Sequence, residues 1–208
     1  MSSQFQPSLF ADSDTMLAWA RLAPSRTTLR DGAWVDHQSG WISSADTTFP
    51  ELVETIPWRA ERREMYDRVV DVPRLVYTYA AQQPLPHPDL ERARDLLNRH
   101  YADELGEEFV TAGCCFYRDG RDSVAWHGDN IGRGREHDTM VAIISFGAPR
   151  KLQLRPRGGR LAHTFQLGHG DLVVMGGSCQ RTWEHAVPKS ARPVGPRISV
   201  QFRPRNVW

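Results

Sequence analysis

The sequence predicts a mainly β protein with flanking helices, its core an antiparallel barrel or jelly roll. Three observations predict it. After residue 108, short runs rich in Val, Ile, Phe and Thr alternate with Gly, Pro and Asp turns, at 109–117, 139–146, 150–155, 171–175, 182–187 and 197–203. Closely spaced short strands of this kind close into barrels or double sheets. Helical periodicity is confined to the part before them. The composition of the 208 residues, 40% hydrophobic and 25% charged, suits one ordinary globular domain with a real core.

The elements follow in order. Residues 14–22, DTMLAWARL, have the pattern of a short amphipathic helix capped by Asp12 or Ser13. Phe49–Ile56 forms a second, with Thr48 as cap and Pro50 at the first helical position. Residues 89–104 are the clearest helix: Leu90, Ala93, Leu96, Leu97 and His100 fall on one face, and Asp89 serves as cap or first-turn acid. The β runs come next, and 171–175 with 182–187 has the spacing of a hairpin. The chain divides into an N-terminal part, 1–108, and a β-core, 109–208, within one compact domain.

Several classes are excluded. No apolar run reaches the roughly 18–20 residues of a membrane span, and Met1–Gln6 lacks the regions of a signal peptide. Cys114, Cys115 and Cys179 are too few for a disulfide framework, and without a CxxC pair there is no zinc ribbon. A cytoplasmic monomer without membrane association is the expectation. Net charge is +1, but from Arg150 onward eleven Lys/Arg face two acids, Asp171 and Glu184, so that stretch is +9 and the rest −8. Such a stretch is either a by-product of heavy arginine usage or a face that attracts phosphates.

Three H-x-D triplets occur: His87-Pro88-Asp89, His127-Gly128-Asp129 and His169-Gly170-Asp171. Two His and one carboxylate form a facial triad that leaves about three positions on iron(II) open. In an extended segment residues i and i+2 project to one side, so His127 and Asp129 could converge with a later His185. Spacing alone does not exclude a site made of His169, Asp171 and His185. On the last run, Arg197, Ser199, Gln201 and Arg203 share one face. Burying them calls for anionic partners, and arginine forks suit a dicarboxylate; a solvated outer face is the plainer reading. Cys115 and Tyr117 share a face of the 109–117 run, Tyr117 as a hydrogen-bond donor or a core aromatic.

Taken together, IPW (56–58), VPRLVYTY (72–79), YRDGRDSVAWHGD (117–129), ISFGAPRKLQLR (144–155), LGHGDLVVMGG (167–177), TWEHAVPK (182–189) and RISVQFR (197–203) resemble the AlkB family of dealkylating oxygenases over roughly residues 55–205. The resemblance implies a double-stranded β-helix core of the jelly-roll or cupin kind, with His127, Asp129 and His185 as iron ligands and His169 structural. It implies Fe(II), 2-oxoglutarate and O2 as cofactors. Arg197 would hold the far carboxylate of 2-oxoglutarate with help from Tyr117. Arg203 would lie near the carboxylate next to the keto group, with Ser199 and Cys115 completing the pocket. It implies that residues before the barrel form a nucleotide-recognising lid, where Tyr77, Tyr79 and Arg74 could meet the substrate, Arg74 through a phosphate. Arg155 is a further candidate for substrate contact, and Trp58 a core anchor. The partner so implied is alkylated DNA or RNA, and the reaction is oxidative dealkylation of an N-alkylated base. Cys115 stands where the family usually has Asn, Ser199 where Asn is common, and Asn130 and Ile131 where acids usually follow the motif. Three alternatives are an oxygenase of the same fold acting on a protein or small molecule, a non-catalytic nucleic-acid-binding module, and a cupin-type metal enzyme without 2-oxoglutarate.

Overall fold

The computed structural model describes residues 21–65 and 68–207. The helix expected over 14–22 lies outside them apart from Arg21 and Leu22. Among the described residues, twelve strands form two antiparallel sheets. The larger has the order β1-β2-β10-β7-β12-β5-β4-β3, with β1 Ser25–Thr28, β2 Ala33–Gln38, β3 Arg59–Met65, β4 Arg68–Tyr79, β5 Thr111–Tyr117, β7 Val141–Gly147, β10 Leu172–Gly177 and β12 Arg197–Arg203. The smaller has the order β6-β11-β8-β9, with β6 Val124–His127, β8 Arg150–Pro156, β9 His163–Leu167 and β11 Trp183–Val187. This is a jelly-roll core with helices packed outside it. Strands from both sides of residue 108 share the larger sheet.

Side-chain alternation sorts two cores. On β7, Ala142, Ile144 and Phe146 face the helices, while Val141 and Ile143 face the smaller sheet. Both faces are buried, which is why VAIISF is apolar except for Ser145. β12 divides more sharply. Ile198, Val200 and Phe202 enter the helix-side core. Arg197, Ser199, Gln201 and Arg203 turn into the space between the sheets. Their burial rejects the solvated-face reading of this strand.

Helices α1 (Ala45–Thr55) and α2 (Pro88–Leu105) cover the outer face of the larger sheet. α1 begins about one turn before the sequence expectation, with Ser44 at its N-cap and Pro50 inside it. Thr48 is not the cap: its hydroxyl donates to Ser44 O (3.0 Å) and Asp89 Oδ2 (2.7 Å). On α2, His87 is the cap, its Nδ1 accepting from Asp89 N at 3.1 Å, so Asp89 is the first-turn acid. The buried face is Leu90, Ala93, Leu97 and Tyr101, and His100 is exposed. The expected 171–175/182–187 hairpin does not exist. β10 and β11 lie in different sheets, joined by the single turn α3 (Cys179–Thr182). A jelly roll passes consecutive strands from one sheet to the other, which local spacing cannot reveal.

Candidate metal centre and cosubstrate slot

β6 is short and ends at His127, and its neighbour β11 places His185 directly opposite. The two imidazole centroids are 4.2 Å apart. Gly128 then lets the chain pass: a Cβ there would meet Gln180 O at 2.6 Å and Trp183 O at 3.1 Å. Asp129 follows, buried, its backbone N–H donating to Gln180 Oε1 at 3.0 Å. The ligand atoms of His127, Asp129 and His185 all lie within 4.8 Å of one another, and no other such group of His, Cys, Asp or Glu occurs among the described residues. The spacing alternative fails. Asp171 accepts from the Gly40 and Gly168 N–H groups, and His169 Nδ1 accepts from Gly147 N at 2.7 Å.

Each group is prepared for a cation. His127 Nδ1 sits 2.8 Å from Ala125 O. A carbonyl can only accept, so the proton belongs on Nδ1 and the Nε2 lone pair is free. Burial pushes His185 down to about 3, reinforced by His127 and Arg203 against the pull of Asp129, so its imidazole is neutral at ordinary pH. Burial alone would raise the Asp129 carboxyl. Arg203 and the two imidazoles outweigh it and bring it to about 2. Arg203 Nε donates to Asp129 Oδ2 at 2.9 Å, while Oδ1 faces His127 Nε2 at 3.9 Å.

From this cluster a narrow slot of about 60 Å³ runs between the sheets to Arg197. Arg197 is 2% exposed. Its Nη2 donates to Ser145 Oγ at 2.7 Å and its Cζ lies 5.2 Å from the Tyr117 ring centroid, but Nε and Nη1 are buried with no partner. Burial pulls its pKa below the ordinary arginine value. Tyr117 is pushed up to about 12 by burial, with Arg197, Arg74 and Arg150 pulling the other way. The one acid lining the slot, Asp129, is already paired with Arg203. Two orphaned guanidinium nitrogens in a cationic slot beside a His-Asp-His cluster fit a dicarboxylate that also reaches a metal. Ser199 and Cys115 line the slot as expected. Gln201, on the same face, bonds Ser199 and lies 3.8 Å from Cys115 Sγ. It was visible in the sequence pattern but had no role assigned.

A wider bowl of about 470 Å³ opens outward from the same ligands. Trp126, Asn130, Ile131, Glu61 and Glu184 line it. Asn130, with its amide nitrogen toward Gly128 O (2.9 Å), accepts from Arg157 Nη2 at 3.1 Å. Several substrate expectations need correction here. Tyr79 is buried in the helix-side core at 5% exposure, whereas Tyr77, partly buried against that core, also lines the bowl. The reason is register. Tyr77 and Tyr79 pair with Cys114 and Ala112, so the strand's site face is Arg74, Val76 and Thr78, beside Cys115 and Gly113. Arg74 does not project to a phosphate. It turns inward, lining both slot and bowl, with Nε donating to Cys115 Sγ (3.3 Å) and Nη1 to Ser123 O (3.2 Å). Arg155 does not line the bowl. It stacks 4.4 Å from the Trp126 centroid and donates to Glu184 Oε2 at 2.8 Å, bracing both from behind. Trp58 is a core anchor, 5.3 Å from Phe116.

Two imidazoles and a carboxylate converging at the mouth of a cationic slot, in a jelly roll, have the donor set of a mononuclear non-haem metal site. Comparison with known proteins makes this specific. Residues 43–203 match the model of the 2OG-Fe(II) oxygenase superfamily. The bovine alpha-ketoglutarate-dependent dioxygenase alkB homolog 3 is 30% identical over 181 residues, covering 78% of this chain and 62% of that protein. The bovine DNA oxidative demethylase ALKBH2 is 28% identical over 184 residues, covering 77% and 64%. A prolyl-4-hydroxylase structure from Pseudomonas putida has the same fold, with TM-score 0.58 at 15% identity, over 82% of this chain and 92% of that one. The chain belongs to the 2OG-Fe(II) oxygenase superfamily, and AlkB homologues are among its relatives. Its cofactors are accordingly Fe(II), 2-oxoglutarate and O2. The chain spans about 62% of the length of the curated relatives it matches first.

Proposed function

We propose that this protein carries out Fe(II)- and 2-oxoglutarate-dependent oxidative dealkylation of N-alkylated bases in DNA or RNA. The observation that carries the proposal is the juxtaposition of the His127/Asp129/His185 cluster with the orphaned buried guanidinium of Arg197. His127 Nε2, an Asp129 oxygen and His185 would hold the iron, with Arg203 fixing the Asp129 carboxylate. Arg197 and Tyr117 would take the far carboxylate of 2-oxoglutarate, and Ser199, Gln201 and Cys115 would line its stem. Held there, iron(II) would supply the chemistry that couples conversion of 2-oxoglutarate and O2 to succinate and carbon dioxide with hydroxylation of the N-alkyl carbon. The resulting hemiaminal loses an aldehyde and restores the base. The protein's own contribution is to orient the two substrates and exclude water.

The bowl suits a base swung out of its stack, which costs a few kcal/mol and least for a lesion that pairs poorly. Trp126, held flat by Arg155, offers an aromatic surface at its rim. Backbone phosphates find a separate groove, where Lys151, Lys189 and Arg192 stand without an acid among the lining residues. None of the three makes an ion pair among the described residues. The names of the relatives, a demethylase of DNA among them, support the same class of substrate.

A second reading is favoured by one observation. Asn130 and the exposed Ile131 replace acids at the bowl's rim, which leaves a less polar mouth and would suit a peptide or small molecule. The deciding experiment gives purified protein Fe(II), 2-oxoglutarate and methylated oligonucleotides, then methylated peptides. Stoichiometric succinate and formaldehyde from the oligonucleotides support dealkylation of bases. Turnover on peptides alone selects the second reading, and no succinate with any substrate defeats both.

A further inference from the structure

We infer that Arg74 is a second cationic clamp for the far carboxylate of 2-oxoglutarate, taking up a binding role that Cys115 cannot fill. The inference rests on the cosubstrate reading of the slot given above.

The strand register leads there. Tyr117 pairs with Arg197 across β5 and β12, and Leu75 pairs with Phe116 across β4 and β5. Arg74 therefore stands next to Tyr117 in the same row and on the same face as Arg197. It lines the slot, and its charge is felt at the Tyr117 hydroxyl together with that of Arg197. Of the three guanidinium groups around this phenol, Arg150 is committed to the carbonyls of Asp119, Asp122 and Pro188, which leaves Arg74 and Arg197 lining the slot, with no carboxylate lining that end among the described residues. The third arginine of the face, Arg203, lies at the other end and is committed to Asp129.

The donors of Arg74 are arranged for this role. Nε is held by Cys115 Sγ and Nη1 by Ser123 O, which fixes the guanidinium plane. No hydrogen bond occupies Nη2 among the described residues. Cys115 itself offers only a weak thiol donor, and it is spent on Gln201 Oε1 at 3.8 Å. A thiol is also shorter than an amide side chain, and it is the thiol that accepts the Arg74 Nε–H. The sulfur therefore acts as a backstop that positions Arg74, and the arginine supplies the stronger, charge-assisted bond. With Arg203 committed to Asp129, Arg74 and Arg197 are the cations left lining the end that the far carboxylate would reach.

The test is a ligand-truncation cycle on the full chain loaded with Mn(II) under anaerobic conditions, read by calorimetry. The ligands are 2-oxoglutarate and 2-oxobutyrate, which keeps the keto acid but lacks the far carboxylate. Arg74→Met should weaken 2-oxoglutarate on the order of 10–100-fold and leave 2-oxobutyrate unchanged. Arg74→Lys should recover part of the loss. Mn(II) affinity, read by electron paramagnetic resonance without any keto acid, should not move. An equal loss for both ligands would mean that Arg74 only shapes the slot. Unchanged 2-oxoglutarate binding would leave it to the bowl. Either result overturns the inference. If wild-type protein binds no 2-oxoglutarate, or Arg197→Met has no effect on it, the cosubstrate reading itself fails and takes Arg74 with it. Should Arg74→Met not fold, Cys115→Ala, which frees the Arg74 backstop, should give a smaller loss confined to 2-oxoglutarate.

Discussion

Arg197→Met should make the protein without cofactors more stable while abolishing 2-oxoglutarate binding. Arg197 is 2% exposed, and two of its nitrogens, Nε and Nη1, have no partner. A buried donor left unsatisfied costs about 1–3 kcal/mol, so the pair costs about 2–6 kcal/mol. Against this, the wild type gains one hydrogen bond to Ser145 at 2.7 Å and a cation–π contact with Tyr117 at 5.2 Å, together about 2 kcal/mol. Methionine fills much of the stem volume and needs no partner. The net expectation is a stabilisation of about 2 kcal/mol, or a rise in Tm of about 4–8 °C for a chain of this size. Differential scanning calorimetry of the Mn(II)-loaded proteins, with and without 2-oxoglutarate, reads both effects. At about a hundredfold excess over Kd the cosubstrate should stabilise wild type by about 2.7 kcal/mol and the variant not at all. A variant less stable than wild type, still stabilised by 2-oxoglutarate, would refute the idea that this arginine is held unpaired for an incoming carboxylate.

Three further outcomes are expected. Since His185 is pushed down to about 3 in the folded state, the unfolded chain binds its proton first. Stability is therefore full above about pH 6.5 and falls as pH drops toward 3, by up to about 1.4 kcal/mol per unit. His185→Asn should flatten that part of a urea-titrated stability curve, and an unaltered slope would place the effect elsewhere. Gly128→Ala should destabilise by about 1–3 kcal/mol and weaken Mn(II) binding, because its Cβ would lie 2.6 Å from Gln180 O; normal metal affinity would mean the turn yields freely. Replacing Lys151, Lys189 and Arg192 together by Ala should make the slope of log K against log salt shallower by about 2 for single-stranded oligonucleotides, with succinate yield on a methylated mononucleotide unaffected. An unchanged slope would remove the groove from the binding surface.

The sequence carried the site better than it carried the architecture. Strand periodicity places Arg197 in a row with Ser199, Gln201 and Arg203, because residues two apart share a face; Asp129 joins His127 through the turn at Gly128, just past the end of β6. It says nothing of which strands are neighbours. The hairpin wrongly expected at 171–187 and the choice between two H-x-D triplets both depend on that, and both are decided by β10 and β11 lying in different sheets. β2 was illegible for another reason. Asp36 and His37 break its apolar run, and only the fold supplies Arg26 and Tyr101 for the first and Asp171 for the second. Edge strand β3, RAERREM, looks like a solvated charge run because edges are kept charged.

The same limit explains the misplaced tyrosines, and it bears on how such a site is built. Cys115 and Tyr117 face the slot, so a β4 side chain meets them only if its register parity agrees. A shift of one residue exchanges Arg74 for Leu75 and every site residue for a core one. With the observed parity, the strand places one arginine next to Tyr117, Tyr79 in the helix-side core and Tyr77 against that core at the bowl. The helix-side core gains two large aromatic rings, 4.8 Å apart at their centroids, and the slot gains a charge that it cannot neutralise from within. Stability and binding are thus drawn from opposite faces of a single strand. Substitutions at Tyr79 should therefore report on folding, and substitutions at Arg74 on ligand affinity.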